Sequence, residues 1–493
     1  MNLARITDGH DPTSIALLCG ESTTTYGELR DVVGRLRGGL TGLGLEPGDR
    51  VAIAAPNGEA FVRTYLAVLG MGCVAVPLNP GSPSKELQRE LAAIGASAIV
   101  HDRIAAPAVG GLDRSALPAL RHVIAAAGDA GDVSLADLEQ ATAVPDVDRG
   151  AAELAVLVFT AGTAGSPKAA MLSHGNLLAN IEQVQRGSRP FHTTDVSLGV
   201  LPLFHIFGLN AALGVTLAAG ASIVLSERFD PVATLRLVTE HRCTIVSGAP
   251  PMWVAWAALP GAAADAFASV RAAVSGASAL ADETTVAVQD RFGVALHQGY
   301  GLTEASPVVT SSGTEGAPLG SVGRPLPGVE IRIIDADGLD AELGDQGELW
   351  VRGANVFPGY WEDPEATASA LTDDGWLRTG DVAVADEAAN IWIVDRAKDL
   401  IIVSGFNVYP AEVEEVLLLH PAIGAVAVVG TSHPSAGEAV KAYVVRTGSE
   451  LTEEQVVLHC ADHLARYKCP TSVSFVDEIP TGLGGKILRR SLR

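Results

Sequence analysis

Short apolar runs alternate with helix-spaced apolar positions as far as Gly301. Tyr26, Leu29, Val33, Leu36 and Leu40 recur at helical spacing behind a Thr25/Glu28 capping box, in which each side chain serves an amide the first turn leaves open. A strand is expected over 50–55, a helix over 59–70, a strand over 73–77, a helix over 84–95 and a strand over 96–101. This alternation predicts a parallel sheet with helices on its faces. Residues 104–150, rich in Ala, Asp and Gly, read as loops with weak elements, and the apolar run 154–159 reads as a buried strand. A helix is expected to open at His174. The uncharged stretch 206–225 is about the length of a membrane span, but Asn210, Thr216, Ser222 and interspersed glycines make it a buried helix ending near Gly220, followed by a strand.

The texture changes at Val329. VEIRIID and GELWVRG alternate apolar with polar residues and are separated by turn signals, so a smaller β subdomain is expected there. Beyond the charged string DRAKD, which suits an exposed linker, a new series begins. It consists of a strand over 400–403, a helix over 411–420, strands over 425–430 and 439–446, a Thr452/Gln455-capped helix reaching Tyr467, and a basic tail. The expected class is α/β: a large N-terminal domain, 1–395, of parallel sheets with flanking helices plus a small β subdomain, followed by a small α+β C-terminal domain, 396–493.

Charge narrows the partners. With 57 acidic against 34 basic residues the net charge is -23, which repels a nucleic-acid backbone and argues against nucleic-acid binding. Five cysteines without a CxxC pair suit reduced thiols in a cytoplasm and offer no zinc site. The first residues carry no apolar signal core and no transmembrane segment is expected, which leaves peripheral membrane contact open.

The chemistry concentrates after the strand at 154–159. In TAGTAGSPKAA, 160–170, small residues let backbone amides approach an anion and Lys168 supplies charge, although the same residues would also make a solvated turn. It is not a Walker A loop, because Ser166 and Pro167 precede the lysine and Ala169 follows it. YGLTE, 300–304, offers a ring for stacking, a hydroxyl and a carboxylate able to hold Mg²⁺. Small residues in SGASAL, 275–280, leave room for a flat base. TGD, 379–381, LPLFHIFG, 201–208, and GGKILRR, 484–490, complete the set.

Taken in order, these motifs resemble the adenylate-forming superfamily of acyl-CoA synthetases, luciferases and peptide-synthetase adenylation domains, over nearly the whole chain. The resemblance implies an ATP/AMP site made of Thr160, Ala161, Gly162, Thr163, Ala164, Gly165 and Lys168, of Gly276, Ala277 and Ser278, and of Gln298, Gly299, Tyr300, Gly301 and Thr303. Asp381 would clamp the ribose, Arg396 would add a donor beside it, and Lys486 would bridge the attacking carboxylate and the α-phosphate. The implied catalytic set is Lys486, Thr303, Glu304 and His205, with Glu304 on Mg²⁺ and Lys398 at the hinge of the small domain. Ala161, Ala164 and Ala169 depart from the family's loop, two of them by deleting hydroxyls, which implies weakened rather than abolished ATP binding.

SGFNVYP (404–410), GEAVKAYVV (437–445) and ARYKCP (465–470) are most similar to bacterial medium- and long-chain fatty acyl-CoA ligases. That similarity implies ATP-dependent activation of a carboxylic acid, a medium- or long-chain fatty acid, to acyl-AMP and pyrophosphate, with transfer to CoA. Ser404, Gly405 and Phe406 would face CoA, with Lys441 and Lys468 as candidates for its phosphates. Two alternatives stay open: delivery to a carrier-protein thiol, and a nucleotide-binding module that has lost catalysis.

Overall fold

The computed structural model describes the chain apart from residues 127–130, 162–166, 279, 314–316, 336, 397–400, 448–450, 481–488, 490–491 and 493; at 161, 167, 395, 396 and 411 it describes the backbone. Of the expected site, Gly162, Thr163, Ala164, Gly165, Lys398 and Lys486 lie outside the described residues.

Among the described residues the large N-terminal domain holds sheets of seven, nine and four strands, and the small C-terminal domain one of five. In the first sheet Arg50–Ala54 lies between Val74–Pro77 and Ala98–His101, all parallel, and Leu154–Ala161 follows beside Val74–Pro77. Burial on both faces explains the continuous apolar runs in these strands. Glu59–Gly70 buries Phe61, Tyr65 and Leu66 in the shared core, and Tyr26–Gly42 starts at the Thr25/Glu28 box. One addition was not foreseen: Pro167–Ser173 is a strand that pairs antiparallel with Leu154–Ala161 out to Ala161 and Pro167. Helix His174–Gln185 follows, capped by Ser173.

The second sheet carries the parallel strands Val196–Gly199, Ile245–Gly248, Ala272–Ser275 and Leu296–Gly301. Their C-terminal ends open into Gly276–Ser278 and Leu302–Glu304, where an open parallel sheet offers its ligand crevice. The uncharged stretch packs across this region as a π-helix, Phe207–Gly214, continued by Val215–Ala218 and closed at Gly220 with φ +70°. Among the described residues no helix is long and apolar enough to cross a membrane.

The expected β subdomain is present: Val329–Ile334 and Gly347–Gly353 pair antiparallel, with Leu377–Ala385 and Ile391–Arg396 beyond them. The C-terminal sheet packs helices Pro410–Leu418 and Glu453–Ala461 around a core of its own that includes Val413, Val428 and Val456.

Candidate active site

One cavity, about 860 Å³, lies where the C-terminal ends of the second sheet meet the strand pair Leu154–Ala161 and Pro167–Ser173, the small β subdomain and the C-terminal domain. Thr160, Lys168, His205, Gly276, Ala277, Ser278, Gln298, Gly299, Tyr300, Gly301, Thr303, Glu304 and Asp381 all line it. Motifs spread over more than two hundred residues thus converge on one cavity.

Tyr300 Oη donates to Asp381 Oδ2 at 2.6 Å, which ties the end of Leu296–Gly301 to Leu377–Ala385. A hydrogen bond to a carboxylate contributes about 1.5–3 kcal/mol. Arg396 stands opposite Asp381 in the antiparallel ladder, so its backbone is beside the expected ribose clamp. Gly276 leaves a floor for a flat ring, because a Cβ there would lie 3.0 Å from Phe207 Cε1. Ala277 follows at φ +72°, a left-handed conformation costly for alanine and of the kind that accumulates at functional sites.

Two residues unnoticed in the sequence organise the acidic side. Tyr360 Oη donates to Glu304 Oε1 at 2.6 Å, and Lys168 Nζ sits 5.6 Å from the Tyr360 ring centroid and 3.9 Å from Asp363 Oδ2. Burial, with Glu304 beside it, pushes the Tyr360 phenol far above its usual range, so it remains a donor. Thr160 Oγ1 donates to the Lys168 carbonyl across the strand pair. Among the described residues no group of three or more His, Cys, Asp or Glu could hold a metal ion as a cage.

His205 accepts the Phe207 N–H on Nδ1 at 3.2 Å. Burial pushes its pKa down to about 4, so the ring is neutral and its one proton sits on Nε2.

The small domain turns 404–410 toward the cavity. Asn407 and Tyr409 line it, and Gly405, at φ +88°, meets the large domain so closely that a Cβ would lie 3.0 Å from that of Ala249. Phe406 stacks between Phe204 (6.0 Å) and Tyr467 (4.7 Å), and Ser404 forms the turn before it at φ +52°. Lys441 lies on Gly437–Arg446 with Nζ 4.6 Å from the Tyr443 ring centroid.

Lys468 requires correction. Only 8 % exposed, it places Nζ 2.5 Å from Glu86 Oε1 and 3.0 Å from Glu412 Oε1, so in this arrangement its charge is committed to two carboxylates and does not reach a CoA phosphate.

The model of the AMP-binding enzyme matches residues 7–361, and that of the AMP-binding enzyme C-terminal domain matches 412–486. The chain belongs to the AMP-binding enzyme family. Among members of this AMP-binding family, it is similar to a feruloyl-CoA synthase of Amycolatopsis sp, 38% identical over 98% of this chain and 96% of that one. It is also similar to 4-coumarate–CoA ligase 5 of Oryza sativa subsp. japonica, 35% identical over 99% and 92%, and to a long-chain-fatty-acid–CoA ligase of Yersinia pestis, 36% identical over 92% and 86%. Among solved structures it resembles the amide bond synthetase McbA of Marinactinospora thermotolerans, with TM-score 0.89, 32% identity and coverage of 100% and 99%. ATP-bound MatB of Rhodopseudomonas palustris, 34% identical over 100% and 98%, gives a TM-score of 0.76.

Proposed function

We propose that this AMP-binding enzyme converts a carboxylic acid, ATP and CoA into acyl-CoA, AMP and pyrophosphate. The Tyr300–Asp381 hydrogen bond, set in one cavity with Lys168, His205 and Glu304, is the observation that carries the reading. A carboxylate oxygen attacks the α-phosphorus and the bond to pyrophosphate breaks; the CoA sulfur then attacks the acyl carbon, AMP leaves, and the thiol proton passes to water. Both steps depend on positioning and charge stabilisation more than on covalent help from the protein.

In this reading Asp381 and Arg396 take the ribose, the Gly276–Ser278 turn and Tyr300 take the base, and Thr303, Lys168 and residues 160–165 take the phosphates. Lys486 offsets the charge that builds as the carboxylate attacks. Glu304, with Oε1 held by Tyr360, leaves oxygen lone pairs for Mg²⁺, which suits a cation that keeps waters and substrate phosphates as most of its ligands. When bound, Mg²⁺ would neutralise phosphate charge. The neutral His205 offers its Nε2–H to the acyl oxygen.

The small domain, from 396, is proposed to turn about Lys398 between half-reactions. The face seen here, with Gly405 against Ala249, suits passage of the CoA arm. Five free thiols suit the cytoplasm.

Two acid classes fit the apolar walls at Ala211, Ile245 and Val274: a medium- or long-chain fatty acid, and an aryl acid such as those named for the feruloyl and coumarate ligases. Pyrophosphate release and thioester formation, assayed with both classes and with CoA or a carrier protein, test the proposal. Acyl-CoA formation supports it, thioester on the carrier alone indicates the other acceptor, and no release from any acid leaves a nucleotide-binding module.

A further inference from the structure

The acyl side of the cavity runs along one face of the second sheet. Ile245, Ala272, Val274 and His297 line it from the strands, and Phe207 and Ala211 from the π-helix above. From Ser275, beside the nucleotide turn, to Arg271 is four strand residues, roughly 13 Å at about 3.3 Å each. A purely aliphatic pocket would keep this length apolar. Instead it carries a histidine and an arginine.

These two side chains are anchored on successive carbonyls. His297 Nδ1 donates to Ser312 O at 3.2 Å, while Arg189 Nε donates to Gly313 O at 3.2 Å and its Nη1 to Arg271 O at 3.1 Å. A carbonyl only accepts, so the His297 proton is on Nδ1. Burial and the Arg189 charge hold the ring below its usual pKa, which keeps it neutral and leaves Nε2 as a lone-pair acceptor. Nε2 and Arg189 Nη2 have no hydrogen-bond partner among the described residues, and no described carboxylate forms an ion pair with Arg189. Lining one cavity side by side, the pair offers one acceptor and one charged donor.

A group that satisfies both must donate one hydrogen and accept another. We propose that Arg189 and His297 form the specificity site of the acyl pocket and select an acid whose distal end bears a hydroxyl, phenolic in the aryl class, donating to His297 Nε2 and accepting from Arg189. This rests on the acid-ligase reading and narrows it. Leaving both groups desolvated against a plain hydrocarbon tail is unfavourable, so the pocket discriminates by what an unhydroxylated acid fails to pair.

The test is kcat/KM for pyrophosphate release with 4-hydroxycinnamate, cinnamate, 4-methoxycinnamate, decanoate and palmitate, in the wild type, His297→Leu and Arg189→Met. The wild type should favour 4-hydroxycinnamate over cinnamate by at least about a hundredfold. The methoxy acid, which accepts without donating, should fall between them. Each variant should bring the ratio below about tenfold. Because the ratio is taken within each protein, partial loss of folded enzyme cancels from it. A wild-type ratio near one, fatty acids outrunning every aryl acid, or an unchanged ratio in both variants overturns the specificity site while leaving the ligase standing. Absence of release from all five acids overturns the ligase reading and this inference with it.

Discussion

Lys468 of the small domain ends 2.5 Å from Glu86 of the large one, and the same ammonium lies 3.0 Å from Glu412. Glu86 also accepts the Ala465 N–H, and Glu90, one turn along helix Ser84–Ala93, is buried beside the group with Oε2 unpartnered among the described residues. Burial alone would lower the Lys468 pKa, but Tyr467 and the carboxylates of Glu86 and Glu412 raise it well above its usual value. The cluster therefore links the two domains in the arrangement that brings Gly405 to the cavity.

Removing the cation should undock them. Lys468→Met leaves buried carboxylates without a counter-charge, a loss of about 3–5 kcal/mol for a broken buried pair. Single-turnover transfer of a preformed acyl adenylate to CoA should slow at least tenfold, with pyrophosphate release much less affected. Rapid-quench measurement of the two half-reactions checks this; equal slowing of both contradicts it.

Docking should also depend on pH. Burial, then Glu86 and Glu412, push Glu90 from 4.5 up to about 8, so it is neutral in the docked form where it would be ionised if exposed. The docked form thus binds the extra proton: the contribution is complete below about pH 4.5 and is lost as pH rises toward about 8. Its steepest slope is about 1.4 kcal/mol per pH unit. Small-angle scattering across this range should show the molecule opening as pH rises, and Glu90→Gln should flatten the response. An unchanged response in Glu90→Gln removes Glu90 as the cause.

His205 titrates from the other side. Its pKa, lowered by burial to about 4, keeps the ring neutral throughout the range where an ordinary histidine near 6.5 would charge. Acid-dependent pyrophosphate release should show no inflection near pH 6.5 that His205→Ala abolishes, and that substitution should lower kcat/KM about a hundredfold.

Tyr360→Phe isolates the hydroxyl that holds Glu304. Losing such an outer partner should cost about 10–100-fold in the apparent affinity for Mg²⁺ with ATP, with little change in Tm. Activity titrated against Mg²⁺ checks it; an unaltered midpoint contradicts it.

What was legible in the sequence was local. The Thr25/Glu28 box and the helix over 59–70 were readable because cap and periodicity lie within a few turns, and both are as expected. Strand Pro167–Ser173 was not, since Lys168, the alanines and Met171 favour no strand and tertiary pairing overrides them. The π-helix has no local signature. Tyr300 and Asp381, which hydrogen-bond in the cavity, each sit in a recognisable motif. Tyr360, Arg189 and His297 sit in none, and their roles exist only through partners brought in by the fold. Lys468 was misassigned for the same reason: its partner Glu86 is 382 residues away.

The most direct test of the nucleotide site is exchange of labelled pyrophosphate into ATP, with and without acid, in wild type and Asp381→Ala. Acid-dependent exchange that falls at least about a hundredfold in the variant is the predicted result. Exchange surviving intact in Asp381→Ala would contradict the assignment of this cavity as the adenylation site.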